Sequence, residues 1–104
     1  KDSRVLIPTF EKMILDLYFL ATRKKLVFPL SELGLILENI FSFNHTLNFS
    51  LLNRLAMRRN IAQEFELILH RLKAKNPHFF IPERYARKRK LNVKRLSFVN
   101  KVIK

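Results

Sequence analysis

The segment from Arg84 to Lys104 contains nine basic side chains and no acidic one. A block of like charge repels itself, so a compact fold must leave it in solvent or bring it to a polyanion. The asymmetry extends to the whole chain of 104 residues. Residues 1–52 hold six basic and five acidic side chains, a net of +1; residues 53–104 hold fifteen and three, a net of +12. The peak is Arg87-Lys88-Arg89-Lys90, followed by Lys94-Arg95. Nucleic acid is the commonest strong polyanion, ahead of an anionic membrane surface and an acidic protein.

Composition excludes several other classes. There is no cysteine, which removes disulfide scaffolds, Cys-containing zinc sites and Fe–S clusters. The longest uncharged run, Asn39 to Asn53, contains four Asn, two Ser, a Thr and a His, so no transmembrane helix is expected. A single glycine leaves no phosphate-cradling loop. At 48% hydrophobic residues the chain is too apolar for a wholly disordered tail. It opens on Lys1 rather than Met, which fits a processed chain or part of a longer one.

Apolar spacing predicts an all-α fold of four or five helices with a basic, partly extended C-terminal arm. The expected division is 1–76 as helical domain and 77–104 as arm. Val5-Leu6-Ile7 form a short lead closed by Pro8. Thr9 can cap a helix running to about Lys24, with Glu11 in its positive first turn. Leu26-Val27-Phe28 should be extended before Pro29. Ser31 is the expected cap of a second helix, inside which Gly34 suggests close packing against a neighbouring helix. Helical spacing resumes at Ser50. Asn60-Ile61-Ala62-Gln63 resembles a capping box, so two helices, or one kinked at Asn60, should reach about Lys75. Pro82 can open a further helix through the basic block. The apolar residues from Leu91 to Ile103 fit neither period well and can dock on a partner.

Catalytic chemistry is nearly empty, and no enzyme or cofactor is expected. His45, His70 and His78 share no metal-ligand spacing. Glu64 and Glu66, two apart, point in different directions on a helix and read as first-turn and solvent-face charge. Asn44-His45-Thr46 and Asn48-Phe49-Ser50 match the glycosylation triplet, but nothing else suggests secretion.

Binding remains. Arginine forks fit phosphate oxygens and stack on bases, while lysine supplies compact charge. The candidate RNA-binding residues are Arg54, Arg58, Arg59, Arg71, Lys73, Arg84, Tyr85, Arg87, Lys88, Arg89, Lys90, Lys94 and Arg95. Tyr85, between Arg84 and Arg87, is the best placed ring for stacking on a base; Phe79 and Phe80 read better as core. A DNA-binding helix-turn-helix is the competing expectation, with Asn53, Arg54, Arg58 and Arg59 as its reading face. The link Ser42–Asn48 is long for such a turn and lacks glycine. A third expectation is an accessory subunit of a mitochondrial membrane complex.

Size, absence of cysteine, Phe/Ile/Asn/Lys-rich composition and the basic C-terminal arm are similar to those of small basic ribosomal proteins, especially mitochondrial ones. The segment Phe65 to Lys90 resembles the bacterial-type small-subunit ribosomal protein twenty-one. There, a basic helix is followed by an aromatic and a Lys/Arg run, here Arg84-Tyr85 and then Arg87-Lys88-Arg89-Lys90. The resemblance implies a structural subunit of a mitochondrial ribosome, with rRNA and neighbouring proteins as partners.

Overall fold

The computed structural model describes residues 9–24, 29–43 and 47–103. The expectations for Val5–Ile7, Leu26–Phe28 and Asn44-His45-Thr46 lie outside these residues. Five α-helices form, with no strand among the described residues: α1 (Phe10–Arg23), α2 (Leu30–Phe43), α3 (Phe49–Arg58), α4 (Ala62–Lys75) and α5 (Val93–Val102). They close a ring in which α1 packs on α2, α2 on α5, α5 on α4, α4 on α3, and α3 on α1. The fold is the small all-α domain that the apolar spacing predicts.

Local chemistry sets the helix ends. Thr9 caps α1 by accepting from the Lys12 backbone N–H at 3.1 Å. Asn48 does the same for α3, accepting from Leu51 at 3.0 Å, so this Asn of the second glycosylation triplet is a helix cap. Ser31 is not the cap of α2. The helix starts at Leu30, and the Pro29 carbonyl accepts from Glu32 and Leu33 at 3.0 and 3.3 Å.

Asn60 also differs from expectation. It closes the helix before it instead of opening the one after. Its φ is +59°, its N–H donates to Met57 O at 3.1 Å, and the Ile61 N–H donates to Ala56 O at 2.9 Å. This pair of bonds is a Schellman motif, whose left-handed residue is Gly or Asn because other side chains crowd the backbone there. The chain therefore breaks into α3 and α4, and α4 has no side-chain cap.

The helix expected through the basic block does not form. A single 3-10 turn, Glu83–Tyr85, is followed by irregular backbone to Asn92, the cap of α5. In a helix, basic residues three and four apart would repel. In a non-helical segment, residues two apart can reach the same side. Here Arg87 and Arg89 both reach Glu66.

The core is continuous from α1 to α5. Ile14, Leu15, Tyr18, Leu33, Leu37, Leu52, Ile61, Ile68, Leu72 and Val99 are all at most 1% exposed. Phe79, Ile81, Ala86, Val102 and Ile103 join it from beyond α4. Phe79 is core as expected, whereas Phe80 is exposed. Gly34 is where α5 comes closest to α2, since a Cβ there would lie 1.9 Å from the Val102 carbonyl oxygen. Helix α4 is enclosed, with Glu64 through Leu69 buried without a break.

Candidate nucleic-acid interface

Two acidic residues inside α4 organise the basic half of the chain. Glu64 is fully buried and accepts from the Tyr18 hydroxyl at 2.7 Å and from both terminal nitrogens of Arg23. Arg95 Nε lies 3.5 Å from the same carboxylate. Glu66, 6% exposed, accepts from Arg87 Nε at 2.6 Å, from the Arg87 backbone N–H at 3.3 Å and from Arg89 Nε at 2.9 Å. Burial opposes its charge, but the hydrogen bonds from Arg87 and Arg89 outweigh that and hold the carboxyl below its usual range. The two side chains do point in different directions. They are not solvent-face charges, because each is the buried anchor of a set of arginines.

The tethers leave the outer ends of the guanidinium groups open. Arg87, Arg89 and Arg95 all engage their glutamate through Nε. Among the described residues their terminal nitrogens have no protein partner, and a guanidinium fixed at Nε still presents the outer pair of donors that matches a phosphate.

These arginines line three clefts that share walls. The first, about 830 Å³ between the end of α1 and the start of α5, holds Arg23, Lys94 and Arg95. The second, about 450 Å³ beside the α3–α4 turn, holds Arg95, Arg89 and Arg87 facing Asn53, Asn60 and Gln63. The third, about 510 Å³ on the far side of the segment, holds Arg87, Lys88, Lys73 and His70. Arg95 belongs to the first two and Arg87 to the last two, so the cations follow one track. Lys90 is exposed beside it.

Other sequence-predicted residues lie away from these clefts. Arg59 bonds Asp16 at 2.5 Å and covers the Phe19 ring at 4.7 Å. Arg71 bonds Asn100 Oδ1 at 2.6 Å and the Ile103 carbonyl at 3.3 Å, which ties α5 to α4. Arg54 and Arg58 are exposed on α3. The Tyr85 ring stacks on Phe49, with centroids 6.2 Å apart and planes at 16°, and the Arg84 guanidinium lies 5.1 Å from its centroid. Its surfaces are thus engaged within the fold. Arg23, Asn60, Gln63 and His70 were not singled out as binding residues from sequence, and Asn53 was singled out only as part of a DNA-reading face. Arg23, Asn60 and Gln63 lie at helix ends, while Asn53 and His70 lie inside α3 and α4.

Among the described residues, no helix is long and apolar enough to cross a membrane. Residues 1–75 match the model of a protein family described as a family of unknown function, DUF6577. The match ends with α4, before the basic segment. No curated protein and no solved structure matches the chain.

Proposed function

We propose that this chain, which belongs to the DUF6577 family of unknown function, binds the phosphate backbone of single-stranded RNA along the track of segment 87–95. The observation that carries the proposal is the tethering of Arg87, Arg89 and Arg95 through Nε to buried glutamates, with the same residues lining connected clefts. Preorganised guanidinium groups lose less rotamer freedom on meeting phosphate.

Single strands suit this surface better than duplex DNA does. A recognition helix reads bases with an open row of side chains. Of the α3 face expected to do this, Asn53 donates to Met57 Sδ at 3.6 Å and Arg59, just past the helix, bonds Asp16, which leaves Arg54 and Arg58 exposed there. Concave clefts of several hundred Å³ can instead take nucleotides splayed off a flexible backbone. The amides of Asn53, Asn60 and Gln63 face the second cleft, where they can bond a ribose 2′-hydroxyl. The role is that of a structural subunit of a ribonucleoprotein, and the ribosomal resemblance of the composition makes rRNA the first RNA to try.

Binding of an oligouridylate, a duplex DNA of equal length and cardiolipin vesicles, compared side by side, tests this. The RNA should be retained and released by the triple change Lys88→Gln, Lys90→Gln and Lys94→Gln. Vesicle binding without RNA binding would instead favour a membrane-surface role.

A further inference from the structure

The third cleft contains a titratable group in a defined tautomer. His70 Nδ1 lies 3.1 Å from the Ala86 carbonyl oxygen. A carbonyl oxygen only accepts, so Nδ1 carries its hydrogen in both charge states. The nitrogen that gains or loses a proton is therefore Nε2, which has no partner among the described residues. Protonation turns it from an acceptor into a second donor on a cationic ring.

The surroundings of the imidazole are cationic overall. Lys73 faces the cleft from α4, and Arg87 and Lys88 face it from the irregular segment. Glu83, on the 3-10 turn, is the only acid among the described residues that line it. Glu66 already engages Arg87 from the other side. Three cations against one carboxylate give the cleft a net positive charge. An anion seated there reverses that balance, so anion binding and protonation of His70 favour each other. The floor is apolar, built from Ala74, Pro77 and Ala86. Such a floor accepts a sugar or base while the cations hold the phosphate.

We propose that this cleft is a second phosphate subsite, filled by a phosphodiester of the same single strand, in which His70 binds as the imidazolium. The inference rests on reading segment 87–95 as an RNA track, because Arg87 is the wall shared with the neighbouring cleft. Binding then takes up a proton.

The test uses an oligouridylate without terminal phosphates, whose phosphodiesters stay ionised throughout. Its affinity is followed by fluorescence anisotropy from pH 8 to pH 5.5 at fixed ionic strength. If binding raises the His70 pKa by about one unit, affinity should rise roughly tenfold across that range. His70→Gln keeps a donor for the Ala86 carbonyl but cannot titrate. It should flatten the profile. His45→Gln and His78→Gln should preserve the profile. The His70 ring protons, followed by NMR in the unmodified chain, should titrate at higher pH once the oligonucleotide is bound. A profile as steep in His70→Gln as in the parent, or a His70 titration unmoved by RNA, overturns the subsite and leaves the track standing. Absent or salt-insensitive binding at pH 8 overturns the track itself.

Discussion

Tyr18 on α1 donates its hydroxyl hydrogen to Glu64 on α4 across 2.7 Å, and neither side chain is exposed. The same carboxylate takes both terminal nitrogens of Arg23 and faces Arg95. One buried anion thus joins α1, α4 and α5.

Removing that anion should destabilise the fold more than any surface change. Glu64→Gln keeps the shape but leaves Arg23, 23% exposed, and Arg95, 29% exposed, without a counter-charge. Breaking a buried pair on one side costs about 3–5 kcal/mol, a large share of a small domain's stability. Tyr18→Phe should cost less, about 1.5–3 kcal/mol, as a lost hydrogen bond to a charged group. Urea unfolding of the single and double variants checks both values. The double variant should cost less than the sum of the two, because the groups share one network.

Alkali probes the same contact. Burial, reinforced by the negative charge of Glu64, pushes the Tyr18 phenol well above its ordinary range. A folded-state pKa above the unfolded one gives stability that is fully present below about pH 10 and lost as pH rises past it. The chain has two tyrosines. In a Tyr85→Phe variant, absorbance at 295 nm should report Tyr18 ionising together with the loss of helical circular dichroism. Ionisation near pH 10 with helicity intact would contradict the buried contact.

Gly34→Ala is a third test. Alanine favours an isolated helix by about 1 kcal/mol over glycine. Here its Cβ would meet the Val102 carbonyl oxygen at 1.9 Å, and a backbone atom cannot step aside cheaply. Overpacking of this kind costs about 1–3 kcal/mol. The net effect on thermal unfolding should be a lower melting temperature, despite the better helix former.

Much of the fold is legible in the sequence because helix periodicity and capping are local. Thr9 and the break at Asn60 follow from nearby residues, and a glycine inside a helix marked the close approach at Gly34, though not its partner Val102. Glu64 and Glu66 do not. Their burial depends on partners 41 residues earlier at Arg23 and 21 and 23 residues later at Arg87 and Arg89. Helix α4 is enclosed, so its apolar stripe widens until charge alone no longer marks a solvent face. The basic segment was legible as a location. Its conformation was not, because Pro82 and the following residues permit a helix that tertiary ion pairing overrides.

The salt dependence of RNA affinity tests the central claim most directly. Lys73, Arg87, Lys88, Arg89, Lys94 and Arg95 line the three clefts. If these six cations each neutralise one phosphate of a single strand, the slope of log K against log salt should be about −4. Affinity for an oligouridylate would then fall roughly 300-fold between 50 and 200 mM salt. A slope near zero, with binding unchanged across that range, would contradict the phosphate track.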